Sequence, residues 1–259
     1  MYCKRRKKEV LMNIAIITGA SSGMGKEFVL KLAPILRKTD ELWLIARNSE
    51  KLEEVENALK GMNIVPEIKV FPMDITDENK LKQFTEAMMI LNPKISVLVN
   101  CAGVGTYGAF DKQSREETTE MVRLNVLALT QLTKICLPYM RKGSKIIQVA
   151  SGAAFRPQPE FAVYAASKAY VYSFGRALAK ELKQRGIVVT TVCPGPVETP
   201  FLEHAYGRYG ELSKLKKLVM ANTEKVVAQA IKDCKKKKEV SIYGLPMKLL
   251  YGLSRGVIR

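Results

Sequence analysis

Histidine and cysteine are scarce in this chain of 259 residues, and their scarcity excludes several kinds of site. The single histidine, His204, cannot supply the two or three imidazoles of most catalytic zinc sites. The cysteines are odd in number, widely spaced and free of any C-x-x-C pair: Cys3, Cys101, Cys136, Cys193 and Cys234. This pattern indicates neither a disulfide framework nor a thiolate metal site. We therefore expect a reducing, cytoplasmic compartment and no bound metal.

Long hydrophobic runs are also missing from the sequence. No apolar stretch approaches the ~18 to 20 residues that a transmembrane helix needs. The segment from Leu245 to Ile258 is apolar, but Pro246, Lys248 and Gly252 interrupt it. We expect residues 245–259 to pack on the body of the protein or on a partner subunit. Adsorption of this segment to a membrane surface stays open.

Acidic residues are in short supply, with 25 Asp plus Glu against 42 Lys plus Arg, a formal charge of +17. Much of the excess lies at the two ends of the chain. Residues 1–12 carry five basic residues and one acid, and residues 232–259 carry eight and two. We interpret these ends as solvated charge and predict no nucleic-acid partner. A polyanion-binding role for the basic ends remains the alternative.

The start of the chain, a basic stretch followed by apolar residues, superficially resembles a secretory signal. We favour a first β-strand over Met12 to Thr18, because the glycine loop behind it would be useless without that strand. Residues 1–11 are then predicted to be a disordered extension. Residues 12–259 form one domain, with a substrate lid at about 196–222, since no linker or composition break divides them.

Short β-branched runs alternate with helical patterns along the chain. The predicted strands are Asn13–Thr18, Glu41–Ala46, Glu67–Phe71, Val97–Asn100, Lys145–Ala150, Val188–Cys193 and Val240–Tyr243. The predicted helices are Gly25–Leu36, Ser49–Lys60, Glu78–Leu91, Ser114–Met140, Glu160–Arg185 and Thr223–Lys236. Strands that are apolar throughout are typical of a parallel sheet covered on both faces. The sequence thus predicts a doubly wound α/β Rossmann-type fold with a mainly parallel sheet of seven strands, its ligand at the carboxyl ends.

A glycine-rich stretch, Thr18 to Gly25, follows the first strand. Glycines there permit a tight turn and close approach of the backbone to a phosphate at a helix N-terminus. The same stretch contains Gly19-Ala20-Ser21-Ser22-Gly23, which matches the nucleophile elbow of a serine hydrolase. A hydrolase with Ser21 and His204 is therefore a rival interpretation. A turn that merely lets the helix pack is another.

Tyr164 and Lys168 stand four residues apart in a helical pattern and so share one face. Ser151 follows a strand, at the edge where such folds bind ligands. A cation beside a phenol favours the phenolate, so Tyr164 is a candidate acid or base near neutral pH. A Tyr-x-x-x-Lys pair on its own is more typical of an exposed helix face.

Taken together, these elements resemble the short-chain dehydrogenase/reductase family over about Met12 to Tyr243. The resemblance rests on the glycine loop, the Asn100-Cys101-Ala102-Gly103 turn, Asn125, Ser151, Tyr164-x-x-x-Lys168 and Pro194-Gly195, in that order. It implies that Tyr164 exchanges a proton with the substrate oxygen, and that Lys168 lowers its pKa and holds the nicotinamide ribose. It further implies that Ser151 bonds the substrate oxygen and that Asn125 supports a proton relay. Cys101 departs from the family's usual asparagine, without expected loss of activity.

The resemblance also implies a set of cofactor-binding residues. These are Gly19, Ser21, Ser22, Gly23, Met24, Asp74, Ile75, Asn100, Ala102, Gly103, Tyr164, Lys168, Pro194, Gly195, Val197 and Thr199. The second strand ends in Ala46-Arg47-Asn48 without the acid that binds an unphosphorylated ribose. We therefore predict NADP(H) rather than NAD(H), with Arg47 on the 2′-phosphate. An ordinary surface arginine is the other interpretation of Arg47.

The substrate pocket is expected from residues 104–110, 152–161 and 201–221. Its candidate aromatic and basic residues are Phe110, Phe155, Phe161, Phe201, Tyr206, Tyr209, Arg156 and Arg208. They favour an apolar ketone or alcohol of steroid-like or acyl size, although loop aromatics also serve packing. The resemblance implies a homodimer or homotetramer paired through the two long helices. A non-catalytic NADP-binding regulator is a further alternative, against which the intact Ser151, Tyr164 and Lys168 argue.

Overall fold

The structure of the protein is a computed structural model, which describes residues 13–37, 40–61, 66–207, 210 and 219–257. The predicted extension 1–11 and the pocket candidates Arg208 and Tyr209 lie outside the described residues, as does the middle of the predicted lid. Of the side chains in the last helix, those from residue 255 onward are also outside the description.

A parallel sheet of seven strands runs through the described part of the chain, in the order β3-β2-β1-β4-β5-β6-β7. The strands are β1 (Asn13–Thr18), β2 (Glu41–Ala46), β3 (Glu67–Pro72), β4 (Lys94–Asn100), β5 (Met140–Val149), β6 (Val188–Val192) and β7 (Val240–Ser241). The chain leaves β3 and crosses back over β1 to enter β4, so the strand order reverses between β1 and β4. In open α/β sheets, ligands bind at the carboxyl ends of the strands beside such a switch point.

Helices cover both faces of this sheet. They are α1 (Gly23–Leu32), α2 (Ser49–Lys60), α3 (Glu78–Leu91), α4 (Arg115–Val122), α5 (Leu129–Cys136), α6 (Ala162–Glu181), α7 (Pro200–Tyr206), α8 (Thr223–Lys235) and α9 (Leu245–Val257). A π-helical segment, Arg123–Ala128, joins α4 to α5. Short 3₁₀ turns follow α1, α5 and β5, at Ala33–Ile35, Leu137–Tyr139 and Gly152–Phe155.

The alternation of side chains along β1 creates two separate cores. Ile14 and Ile16 point to one face of the sheet and pack with Trp43. Ala15 and Ile17 point to the other face, where they meet α1 and α2. All four of these β1 side chains are fully buried. This is why the strand carries apolar residues at successive positions instead of every second one.

Polar side chains fix where several helices begin. The Asp77 carboxylate accepts hydrogen bonds from the first backbone amides of α3, and Asn48 accepts one at the start of α2. Ser114 and Glu117 form a reciprocal capping box at the start of α4. Each of these residues satisfies amides that have no partner within the helix. The predicted α2 and α3 bounds are confirmed for this reason.

Several predicted boundaries were wrong. The long helix expected over Ser114–Met140 is divided by the π-helical segment and ends earlier, because β5 already begins at Met140. The following helix is α6, which is shorter at both ends than Glu160–Arg185. Glu160, where the predicted helix began, has a φ of 61°, which helix geometry does not allow. The segment from Leu245, which we expected to be interrupted, is helical because a proline is tolerated in the first turn.

Within the described ranges, none of the helices is both long enough and apolar enough to cross a membrane. The same residues contain no cluster of three or more His, Cys, Asp or Glu side chains arranged to hold a metal ion.

Candidate active site

Three side chains meet where β5 ends and α6 begins. Ser151 follows β5 by two residues, and its hydroxyl lies close enough to the phenol of Tyr164 to lower the pKa of that phenol. Lys168 lies one helical turn beyond Tyr164, with its Nζ 5.8 Å from the centre of the tyrosine ring. The Lys168 ammonium donates to the carbonyl of Val149 at 3.0 Å, which ties α6 to the end of β5. The predicted grouping of these residues is thus present.

The ring of Tyr164 is enclosed by aromatic neighbours. Phe161 stacks on it with ring centres 4.2 Å apart, and Phe201 of α7 lies at 5.4 Å. Burial raises the pKa of Tyr164 to about 12, and the Ser151 hydroxyl only partly offsets that rise. The net shift of this pKa is upward, so the expected lowering by Lys168 stays a prediction. Burial disfavours the phenolate more strongly than its surroundings favour it.

Lys168 is itself buried, with 4% of its surface exposed. Burial lowers the pKa of its ammonium to about 8, and the neighbouring thiols of Cys101 and Cys193 act in the opposite direction. A buried ammonium is costly unless hydrogen-bonded, and the Val149 carbonyl supplies one acceptor. The two remaining donors of the ammonium are available to a bound ligand or to water.

Asn125 lies on the π-helical segment and is fully buried. Its side-chain amide exchanges two hydrogen bonds with the backbone of Val104, at 2.8 and 2.9 Å, and donates a third to Ser167. π-Helical turns are frequent at functional sites. Asn125 lines neither the central nor the side cavity described below, so its predicted effect on a proton relay would act through the backbone around Gly103 and Val104.

The glycine loop is held tightly against the end of β4. Gly19 has a φ of 66°, and a Cβ there would lie 3.0 Å from the backbone of Ala102. A Cβ on Gly25 would lie 1.9 Å from the carbonyl oxygen of Gly19. The Thr18 hydroxyl accepts hydrogen bonds from the amides of Cys101 and Ala102. The departure at Cys101 therefore leaves this turn intact, because only its backbone takes part.

Two cavities meet at this loop, and both are lined by Gly19, Ser22, Ala102 and Gly103. The central cavity, about 510 Å³, also contains Gly23, Met24, Ser151, Tyr164, Lys168, Pro194, Gly195, Val197 and Thr199. The side cavity, about 250 Å³, also contains Ser21, Arg47, Asp74 and Ile75. Of the predicted cofactor-binding residues, all but Asn100 thus line one of the two.

Asn100 was predicted to contact the cofactor, but its side chain faces the protein interior. It is 2% exposed, and its amide nitrogen donates to Thr133 and Gln148 at 2.9 and 3.0 Å. The amide fixes the end of β4 against β5 and α5, and the turn that follows it lines the two cavities. Sequence position alone could not separate these roles, since alternate residues of a strand point in opposite directions.

Arg47 reaches across the side cavity to two acids. Its guanidinium lies 3.1 Å from Glu120 of α4 and 4.0 Å from Asp74. The side chain is 60% exposed, so the ion pair with Glu120 contributes little to stability. Lys51 and the hydroxyls of Ser21 and Ser22 line the same cavity. Among the residues that line the side cavity, hydrogen-bond donors thus outnumber the one acid, Asp74.

The aromatic residues predicted for the substrate pocket divide into two groups. Phe161, Phe201 and Tyr206 line the central cavity, as does Arg156 at its rim. Phe110 does not line it and is 66% exposed. Phe155 is buried in a separate cluster against Tyr172 and Tyr251. Tyr107 stands behind the wall, stacked on Tyr206 with ring centres 4.7 Å apart.

The contribution of α9 to the cavity was not predicted from the sequence. Pro246, Met247 and Leu250 from this helix line the central cavity. Met247 occupies a notch made by two glycines, since a Cβ on Gly152 would lie 2.2 Å from its methyl group and one on Gly195 2.9 Å from its sulfur. Apolar residues at 247, 250 and 251 were the available signal, and the proline beside them obscured it.

The residues present fit a dinucleotide cofactor. The α1 N-terminus opens toward the central cavity with no acid in its first turn, and Ser22 makes no side-chain capping bond. Free backbone amides and the positive end of the helix dipole therefore face the place where the cavities join. The glycines at 19 and 25 let the loop, the α1 N-terminus and the Ala102 turn pack at distances that a side chain would block.

The serine hydrolase alternative lacks the required geometry. Ser21 lies on the wall of the side cavity, away from Ser151 and Tyr164. His204 is exposed on α7, and among the contacts of the described residues no hydrogen bond joins it to Ser21. A nucleophile needs a base within hydrogen-bond reach.

Comparison with known proteins agrees with this geometry. Residues 13–208 match the family model described as short chain dehydrogenase. An uncharacterized oxidoreductase of Staphylococcus epidermidis is 31% identical over 80% of this chain and 86% of its own length. The 17-beta-hydroxysteroid dehydrogenase type 3 of Mus musculus is 30% identical over 78% of this chain and 67% of its own. A short-chain dehydrogenase from Sphingobium yanoikuyae, solved in complex with NADPH, superposes with a TM-score of 0.80 at 26% identity, covering 96% of this chain and 95% of that one. The chain belongs to the short-chain dehydrogenase/reductase family of oxidoreductases.

Proposed function

We propose that the protein is an NADP(H)-dependent oxidoreductase that interconverts a ketone and a secondary alcohol on an apolar small molecule. The observation that carries this proposal is the pair of neighbouring hydroxyls, Ser151 and Tyr164, in the wall of an apolar cavity with Lys168 beside them. Two hydroxyls that point at one place can hold a carbonyl oxygen and stabilise the charge that develops on it.

The chain's own groups would act on the substrate oxygen. Ser151 donates a hydrogen bond to it and so orients the carbonyl carbon in the cavity. Tyr164 carries its proton at neutral pH, as a phenol of ordinary pKa already does, and burial holds that proton more firmly. It gives this proton to the oxygen during reduction. The proton is then replaced from solvent. Its path includes Lys168 and the backbone of Val104, which Asn125 holds by hydrogen bonds. In the oxidation direction each proton moves the opposite way.

A nicotinamide cofactor, when bound, supplies or accepts the hydride, and its oxidised form carries a positive ring that favours the phenolate of Tyr164. Gly19, Gly23 and the α1 N-terminus would hold the pyrophosphate, and Lys168 the ribose hydroxyls. Arg47 and Lys51 are the residues that would bind a 2′-phosphate in the side cavity. The NADPH bound by the Sphingobium relative supports the same choice.

The shape and lining of the central cavity favour a bulky apolar substrate. Phe161, Phe201, Tyr206, Met247 and Leu250 form its walls. A steroid-like or acyl ketone fits this lining, and the similarity to a hydroxysteroid dehydrogenase supports that size class. Arg156 at the rim could contact an acidic group on such a molecule.

We further propose that one catalytic domain spans residues 12–259 and works in the cytoplasm as a homodimer or homotetramer. Val122 and Leu127, on the α4–α5 face, are each about half exposed, and so is Tyr170 of α6 to a smaller degree. Apolar residues exposed on neighbouring helices are typical of a subunit contact. Sedimentation of the purified protein would give its mass in solution.

A substrate panel tests the proposed activity. Ketones, steroids and acyl thioesters are offered with NADPH, and absorbance of the reduced nicotinamide is followed, with Tyr164→Phe as the blank. We expect turnover of at least one apolar ketone by the wild-type protein and none above the blank by the variant. NADPH binding without turnover of any compound would instead favour the regulator alternative. Turnover equal in both proteins would overturn the catalytic assignment.

A further inference from the structure

Helix α9 has an inner face that is firmly packed on the domain. Met247 and Leu250 line the central cavity, and Tyr251 lies against Phe155 with ring centres 5.2 Å apart. Because Met247 fills the notch above Gly152, the helix has little freedom to rotate about its axis. The orientation of its outer face is therefore fixed as well.

The outer face carries a leucine stripe, formed by Leu245, Leu249 and Leu253. Their side chains are exposed by 69%, 60% and 72%. Residues four apart lie one above another on a helix, so the stripe is a continuous apolar ridge roughly 12 Å long. Scattered exposed leucines need no explanation, but three in register on one helix indicate a contact with something apolar.

The charged residues around the leucine stripe indicate what kind of surface it contacts. From Val240 to Arg259 the sequence contains no acid, while Lys248, Arg255 and Arg259 are basic. Lys248 is exposed and directly precedes Leu249 on the helix. A helix with an apolar ridge, basic neighbours and no acids matches the surface of a bilayer that contains anionic lipid. The formal charge of +17 on the whole chain adds long-range attraction to such a surface.

A second copy of the chain matches the stripe less well. Lys248 lies near the middle of the ridge, so a two-fold contact between two α9 helices would bring two lysines together. Three leucine side chains also fall far short of the ~800 Å² per partner that a stable interface buries. Insertion into a lipid headgroup region has no such area requirement.

We propose that α9 adsorbs to the surface of an anionic bilayer through Leu245, Leu249 and Leu253, with the helix lying in the plane of the interface. Pro246, Met247 and Leu250 of the same helix line the central cavity, so adsorption places the cavity wall beside the lipid. If the proposed function holds, an apolar ketone dissolved in the bilayer reaches Tyr164 from that side.

Vesicle sedimentation tests the adsorption without any assay of turnover. The full chain is mixed with vesicles of phosphatidylcholine alone or with about 30 mol% phosphatidylglycerol. We expect binding to the anionic vesicles, weaker binding to the neutral ones, and loss of most binding in about 0.5 M NaCl. The triple variant Leu245→Gln/Leu249→Gln/Leu253→Gln should bind anionic vesicles at least about tenfold more weakly.

A matched control removes equally exposed apolar residues elsewhere. Met89 and Ile90 of α3 are exposed by 68% and 83%, and Met89→Gln/Ile90→Gln should bind vesicles like the wild type. Retained NADPH affinity shows that each variant is folded. Equal vesicle binding by the triple variant and the wild type would overturn the proposal. So would a wild-type protein that does not bind vesicles but forms a dimer that the triple variant cannot form. If vesicles are bound but no ketone is reduced, only the proposed function fails.

Discussion

The ammonium of Lys168 lies 5.8 Å from the ring centre of Tyr164 and donates to the carbonyl of Val149 at 3.0 Å. One side chain thus connects the candidate acid on α6 to the end of β5, where Ser151 follows. The same burial that holds this arrangement shifts both groups, raising the pKa of the phenol and lowering that of the ammonium. Both shifts favour the uncharged forms.

The lowered pKa of Lys168 predicts a pH limit on cofactor use. Lysine is charged below its pKa, so the free enzyme loses this positive charge as the pH rises through about 8. We expect kcat/KM for NADPH, which reports groups of the free enzyme, to fall above that pH. The measurement is a profile from pH 6 to 10 at saturating ketone. A flat profile across that range would be inconsistent with a charged Lys168 on the ribose.

Substitutions at Arg47 and Glu120 test how the protein distinguishes NADPH from NADH. Arg47→Ala should weaken NADPH binding about 10- to 100-fold and NADH binding hardly at all, because a charge-assisted pair with the 2′-phosphate is lost. Glu120→Gln should tighten NADPH binding about 2- to 5-fold, since it releases Arg47 from an exposed ion pair. Dissociation constants from nicotinamide fluorescence check both. Equal losses for NADPH and NADH in Arg47→Ala would refute the assignment.

Adding one methyl group at Gly25 is predicted to destabilise the fold strongly. In Gly25→Ala the new Cβ would lie 1.9 Å from the Gly19 carbonyl, a backbone atom that cannot move aside alone. We expect the free energy of unfolding to fall by about 1 to 3 kcal/mol or more, with weaker NADPH binding. Gly252→Ala is the matched control, because nothing lies within 4 Å of that Cβ. It should stabilise the helix by up to about 1 kcal/mol. Similar denaturation midpoints for both variants would contradict this packing.

Truncation of Met247 is predicted to shift the substrate preference toward larger ketones. Met247→Ala empties the notch against Gly152 and Gly195 and enlarges the central cavity. The ratio of kcat/KM for a bulky ketone over a small one should rise about tenfold. Leu253→Ala on the outer face of α9 should leave the ratio for water-soluble ketones unchanged. An unchanged ratio in Met247→Ala would remove α9 from the substrate wall.

Much of the fold could be predicted because local patterns determine it. Apolar residues at successive positions from Ile14 to Ile17 require burial on both faces, which is possible only in a covered parallel sheet. The positions of Tyr164 and Lys168 followed from helical spacing alone. Pairing with Ser151 followed because the carboxyl ends of parallel strands share one edge of the sheet.

The rest depended on long-range packing that sequence patterns do not encode. The π-helical segment around Asn125 has the same periodicity signal as the helices that flank it. The notch for Met247 brings together three segments that are distant in sequence. The rise in the Tyr164 pKa comes from Phe161, Phe201 and the surrounding walls, so it could not be judged from Lys168 alone.

Tyr164→Phe removes one hydroxyl and leaves the stacked ring in place. Its turnover of the best ketone with NADPH should fall about 10²- to 10⁴-fold, the usual contribution of a general acid. Its dissociation constant for NADPH should stay within a few-fold of the wild-type value. Tyr170→Phe, a tyrosine on the opposite side of α6 whose hydroxyl meets Thr130, should keep full turnover. If Tyr164→Phe turns over as fast as Tyr170→Phe, Tyr164 is not the proton donor.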